Sequence, residues 1–393
     1  MKINEVVNFN KPLLTETKVR IDHPEDIIFD ENGLAGAERA LNAIEHAASD
    51  HSSTTIKWDG SPAVIFGWLD KNNFIVTDKA GIGAKKYDGR PTTADALSAM
   101  IYNRKPDQPG RAEYAAKFAA VYDLLKKITP KSTAGKIFQG DMLWMTPSEL
   151  QVTDNSVSFK PNKINYSFDI AQDLGRTIKK SQAGLVIHGV YDSAEAAADA
   201  AAEPTPTTPS QNKIQGNSQL VVFGPETEIP VETKLKKPKA EIESLRNLIK
   251  SPAAAKINTM FDPYNIGSLK ITNFPDLFKS FINFKAGSGQ HIDNNAAKEF
   301  IEWIKSPASK VTANKQENIL THITKYKAAY DTAWKIVSAI SNLKHDIKDQ
   351  FDRLVAKQAS GIQTANGHEG YVAATPYGKI KFVNRPEFMK KAV

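Results

Sequence analysis

Between residues 54 and 81 apolar and polar positions alternate in short runs broken by Asp, Asn and Gly. TTIKWDG, SPAVIFGWL and KNNFIVTDKAG each read as a strand running into a turn. On both sides the apolar spacing lengthens toward 3.6. LAGAERALNAIEHAAS (34–49), ADALSAMIY (94–102) and RAEYAAKFAAVYDLLKKI (111–128) are therefore predicted helices. Strand patterns return at GKIFQGDMLW (135–144), SVSFKP (156–161), KINYSF (163–168) and AGLVIHGVY (183–191). Hairpin-length turns join several of these runs, so the sheet is expected to be antiparallel.

After Tyr191 the pattern becomes punctuated. DSAEAAADAAAE predicts a short helix capped by Asp192, PTPTTPSQN cannot hold regular structure, and SQLVVFG (218–224) reads as a strand. From Lys234 onward the period is helical, through KAEIESLRNLIKS, AAKEFIEWIKS and the long run from Lys315 to Ala359. ANGHEGYVAATPYGKIKFVNR (365–385) then resumes the strand-and-turn texture. The expectation is an α+β protein with a β-rich core over 1–230, a helical insertion over 231–360 and a return to the core over 361–393. No repeat of fixed period interrupts this scheme.

Composition narrows the classes. A chain of 393 residues, 41% hydrophobic and 24% charged, has the make-up of a globular protein and room for two or three domains. No apolar run approaches the roughly 18 residues of a membrane span, and MKINEVVNFNKPLLTETK has no apolar signal region, so a soluble, cytoplasmic protein is expected. The absence of cysteine removes disulfides, thiolate metal sites and a Cys nucleophile together. The net charge of +7 is unevenly placed: residues 231–360 carry 21 Lys+Arg against 13 Asp+Glu, or +8, leaving about −1 for the rest. A basic block beside a near-neutral remainder fits a polyanion partner such as nucleic acid, or a set of solvated helix faces.

The sharpest local feature is Lys57-Trp58-Asp59-Gly60, a lysine at a strand end before a tight turn. A lysine whose neutral amine is favoured by neighbouring cations can attack phosphorus; the plainer alternative is a surface lysine before an Asp-Gly turn. Further motifs follow in order: Thr77-Asp78-Lys79-Ala80-Gly81, Phe138 to Asp141, Glu369 to Val372, and Lys379 to Lys381. In Gly378-Lys379-Ile380-Lys381, strand alternation places both ammonium groups on one face and Ile380 on the other. The alternative there is a solvated face of an edge strand.

This ordered set resembles the covalent nucleotidyltransferase superfamily of ATP-dependent ligases and capping enzymes, and is most similar to the phage RNA ligase 1 group. The resemblance spans residues 50–191 and 365–385 and leaves the helical block uncovered. It implies an antiparallel-sheet nucleotidyltransferase core, ATP-grasp-like in its ligase adenylation architecture. Lys57 would attack the α-phosphate of ATP and carry AMP, with Asp59 and Gly60 shaping its turn. Lys79 would reach the ribose or incoming phosphate, and Asp141, standing where the family usually has glutamate, would contact the ribose hydroxyls. Glu369 would hold Mg²⁺ or Mn²⁺, Lys379 and Lys381 would neutralise the α-phosphate, and Tyr191 or Phe168 would stack on adenine. The activity implied is joining of 5′-phosphate to 3′-hydroxyl ends by a monomer acting on nucleic acid, RNA before DNA, in the cytoplasm of a host cell if the chain is phage-encoded. Transfer of AMP to another acceptor, such as DNA ends or a cap, and an inactive nucleic-acid-binding protein are the other readings. Pro62, where DNA ligases commonly have arginine, argues against that branch.

The eight histidines form no H-x-x-x-H or H-E-x-x-H pair, which speaks against zinc. His188, among apolar residues, reads as a satisfied strand histidine, His368 as a turn histidine, and Trp303 and Trp334 as core.

Overall fold

The computed structural model describes residues 21–31, 33–58, 60–84, 88–199, 214–223, 235–268, 270, 274–356, 362–364 and 369–389. Asp59, His368 and the Pro/Thr stretch lie outside the described residues. Among the described residues the fold is α+β, with three sheets and many helices. Among the described residues no helix is long and apolar enough to cross a membrane.

A five-stranded sheet forms from β2 (Ala63–Trp68), β3 (Phe74–Asp78), β4 (Lys136–Trp144), β8 (Ala183–Tyr191) and β9 (Leu220–Phe223), in the order β3-β2-β4-β8-β9. Its pairs are antiparallel except β8 with β9, which run parallel. The all-antiparallel expectation therefore fails at this edge. Hairpin turns constrain only consecutive strands, and β9 arrives by a long connection instead. One face of this sheet carries Val64, Phe66, Phe138 and Leu185 against the helices Ala94–Asn103 and Arg111–Ile128, through Leu97, Phe118, Val121 and Leu125. Thr93 caps the first of these helices, accepting from the Ala96 amide. The helix Ala194–Ala198 is capped by Ser193 and not by Asp192, because the Ser193 hydroxyl is the group that accepts the Ala196 amide at 3.1 Å.

A second sheet joins β1 (Thr54–Lys57), β11 (Gly370–Thr375) and β12 (Gly378–Val383), so chain separated by about three hundred residues pairs directly: Lys57 lies opposite Gly370 and Thr55 opposite Val372. Alternation splits its side chains cleanly. Ile56, Tyr371, Ala373, Ile380 and Phe382 point into the largest apolar core, while Thr55, Lys57, Val372, Ala374, Lys379 and Lys381 fall on the other face. That core also takes in Ile27–Phe29, the helix Leu34–Ser49 and the helices Lys239–Ile249, Phe274–Gly287, Ala296–Lys305 and Lys327–Ala356. The 231–360 block thus packs against the back of the three-stranded sheet, with Trp303 and Trp334 buried in its interior. A third, four-stranded sheet, β5 (Gln151–Val152), β6 (Ser156–Phe159), β7 (Tyr166–Asp169) and β10 (Ile362–Thr364), stands beside these two in the order β10-β7-β6-β5.

Candidate active site

A cavity of about 410 Å³ lies between the three-stranded sheet and the face of β4 and β8 turned away from the helices Ala94–Asn103 and Arg111–Ile128. Strand alternation decides what reaches it. On β4, Phe138 and Met142 go to the helical side, which leaves Gln139 and Asp141 facing the cavity. From the opposite sheet come Thr55 and Lys57 of β1, Val372 and Ala374 of β11, and Lys379 of β12. Lys79, in the short turn of helix that follows β3, closes one side. The volume is within the usual range for a small-molecule site.

Lys57, Lys79, Asp141, Tyr191 and Lys379, spread over more than three hundred positions of sequence, line this one space. Glu369 is nearly buried, at 8% exposure, and its carboxylate forms an ion pair with the Lys57 ammonium. Gly370 next to it has φ +155, and a Cβ there would sit 2.1 Å from the Phe382 carbonyl oxygen, so β12 can approach only a glycine. Gly60 is constrained in the same way. A Cβ on it would lie 2.4 Å from the Asp141 Cβ, so Gly60 rests directly on the carboxylate residue of β4. Lys381 shares the face of Lys379 but is not part of the cavity wall; its amide donates to the Asp22 carbonyl at 2.9 Å, while the Asp22 amide donates to that of Lys379.

Phe168 does not belong to this space. It is 1% exposed, stacked on Phe159 at 5.7 Å and set among Trp144, Tyr166 and Phe223, because alternation along β7 turns Tyr166 and Phe168 together into a separate apolar cluster. Of the two aromatic candidates only Tyr191 faces the cavity, and burial pushes its phenol above the ordinary value. Two residues to which the sequence assigns no site role also line it. Trp58 follows Lys57 and packs on Tyr166 and Phe223 with ring centroids 4.9 and 4.7 Å away. His188 points its Nε2 at the Asp141 carboxylate, 2.9 Å away.

The space thus combines three ammonium groups, two carboxylates from Asp141 and Asp199, and aromatic surface from Trp58 and Tyr191. Cations and the edge of an aromatic ring in one space suit a ligand with an anionic part and a planar part. Among the described residues no group of three or more His, Asp or Glu side chains gathers around a common point. The sequence model of a family described as "Family of unknown function (DUF6267)" matches residues 19–392. Searches of the curated proteins and of the solved structures return no match.

Proposed function

We propose a function for a chain that belongs to DUF6267, a family of unknown function: ATP-dependent RNA ligation through a lysyl-AMP intermediate. The observation that carries this reading is the meeting of Lys57, Lys79, Asp141, Tyr191 and Lys379 in one cavity, with Glu369 on Lys57. A lysine amine is the only nucleophile type among these groups that forms a phosphoramidate. Its partner Glu369 is placed to take the proton that the ammonium must lose. The Lys57 Nζ–Pα bond forms as the bond from Pα to the bridging oxygen breaks, and pyrophosphate leaves. Lys79 and Lys379 supply fixed positive charge where negative charge accumulates, the main protein contribution to phosphoryl transfer. AMP then passes to a 5′-phosphate, and attack by a 3′-hydroxyl releases it as the ends join.

Tyr191 is assigned to adenine, and Asp141 to the ribose hydroxyls, both lining the cavity. Mg²⁺ takes oxygen ligands, usually one or two carboxylates with substrate phosphates and water completing the set. Glu369 suits that share, and the ion would add charge neutralisation at the phosphates. The acceptor polynucleotide is assigned to the 231–360 block, whose sequence holds the chain's charge excess.

The test is end joining. Purified protein with ATP and Mg²⁺ should circularise a 5′-phosphorylated single-stranded RNA, and Lys57→Ala should not. RNA left unjoined by wild-type protein that nonetheless carries covalent AMP would redirect the reading to another acceptor.

A further inference from the structure

The strand β8 is irregular where it borders the cavity. Val186, His188 and Tyr191 all line the cavity, yet His188 and Tyr191 are three positions apart and in a regular strand would face opposite ways. The register explains it: Gln139 pairs with Gly189 and Gly140 with Ile187, so His188 has no partner of its own and forms a β-bulge. The bulge shifts the alternation by one residue. Leu185, Ile187 and Val190 consequently all reach the helical core, while His188 and Tyr191 both reach the cavity. Bulges re-aim side chains next to functional sites, and this one aims the His188 ring at the Asp141 carboxylate.

We propose that His188 is the positioning residue for Asp141, and that the pair selects ribonucleotides over deoxyribonucleotides at the step that loads AMP onto Lys57. The inference rests on the lysyl-AMP reading above and extends it to the choice of sugar. Asp141 is an acceptor-only group with a short side chain and freedom about two torsions. Behind it sits Gly60, whose missing side chain leaves room for the Asp141 Cβ. To one side His188 Nε2 donates to Oδ2, which fixes the ring's proton on Nε2 and anchors one carboxylate oxygen. The carboxylate is then held in one orientation toward the cavity, where a sugar hydroxyl can donate to it. A site built to accept a hydroxyl discriminates strongly against the analogue lacking it, because its polar group is left unpaired.

The experiment measures initial rates of self-adenylylation with ATP, 2′-deoxyATP and 3′-deoxyATP for wild type, His188→Ala, His188→Gln and Asp141→Asn, with thermal unfolding of each. Wild type should prefer ATP to at least one deoxy analogue. His188→Ala should raise KM for ATP about tenfold with kcat nearly unchanged, and should narrow the preference over that analogue. His188→Gln keeps a donor and should recover most of both effects; Asp141→Asn should mimic the loss. If His188→Ala slows ATP and its analogues equally, or leaves KM unchanged, the positioning role is wrong while the lysyl-AMP reading stands. If wild type is not adenylylated at all, both fall together.

Discussion

At the level of single residues, the two aromatic candidates separate by what surrounds them. Phe168→Ala should destabilise the protein by about 3–5 kcal/mol, the usual cost of emptying a buried Phe site, and leave the KM for ATP near wild type. Tyr191→Ala should also lower stability, since its ring packs among Ile65, Ile75 and Ile137, but it alone should raise the KM for ATP. Denaturant unfolding alongside adenylylation kinetics distinguishes these outcomes, and a raised KM in Phe168→Ala would contradict the placement of adenine. Gly60→Ala tests the close approach of this residue to β4. The added methyl would meet the Asp141 Cβ at 2.4 Å, so adenylylation should drop while overpacking costs about 1–3 kcal/mol. Much of this was legible in sequence. Lys57, Lys79, Asp141 and Lys379 were all marked by short motifs with the residue types that phosphate chemistry needs, and they do meet. His188 was not, because its neighbours alternate like those of any buried strand, and only the pairing register with β4 reveals that it is unpaired. Phe168 and Tyr191 looked equivalent because both end aromatic strands; which face each presents depends on the sheet it joins.

At the level of elements, β12 shows how one strand serves packing and charge at once. Ile380 is fully buried among the helices, whereas Lys379 on the next position faces the cavity. Ile380→Ala should therefore cost about 2–5 kcal/mol, while Lys379→Ala should melt within a few degrees of wild type and still lose adenylylation. A destabilised Lys379→Ala with retained activity would make the strand a structural edge and nothing more. The Lys-Ile-Lys alternation was readable because period two is a local property of the chain. The parallel pairing of β8 with β9 was not, since register and direction across a long connection are set by tertiary packing. The Ser193 cap was missed for a smaller reason: Asp192 and Ser193 are both good caps, and which one turns inward depends on where the helix begins.

Taken as a whole, the molecule holds its helical block more closely than a composition argument suggests. The block's core is continuous with the helix Leu34–Ser49 and with the back of the three-stranded sheet, and several of its cations are engaged: Lys344 with Glu25 at 2.5 Å, Lys279 with Asp30 at 2.6 Å, Arg246 with Glu45 at 2.6 Å. Charge excess counted along the sequence therefore overstates the charge available to a polyanion. Where the block meets the N-terminal and C-terminal segments, Arg385 also grips Asp26 through two hydrogen bonds of 2.8 and 3.0 Å, with His23, His291 and His345 close by. Burial, then the Lys344 charge and His291, hold His345 down to about 3; burial likewise leads in lowering His23. Glu25 would be raised by burial, but Lys344 and its other cationic neighbours reverse this and hold it well below the carboxylate range. In both cases the unfolded chain binds protons that the folded one refuses. Stability should thus fall as pH drops, first below about 6.5 through the histidines and then below about 4.5 through Glu25, offset in part by Asp26, whose carboxyl burial raises, with a slope near 1.4 kcal/mol per pH unit for each fully titrating group. Melting curves from pH 7.5 to 4 should show this decline, and His345→Gln should flatten its upper part. A melting temperature constant from pH 7 to 5 would mean that these histidines are not buried as neutral rings.

The proposed chemistry stands or falls on Lys57 carrying a nucleotide. The most direct measurement is intact-protein mass spectrometry after incubation with ATP and Mg²⁺, followed by peptide mapping under conditions that preserve phosphoramidates. The expected result is a mass increase of one AMP, located on the peptide containing Lys57, reversed by added pyrophosphate and absent in both Lys57→Ala and Lys57→Arg, since a guanidinium has no free lone pair to attack with. An unmodified mass, or AMP located on a peptide without Lys57, would contradict the account.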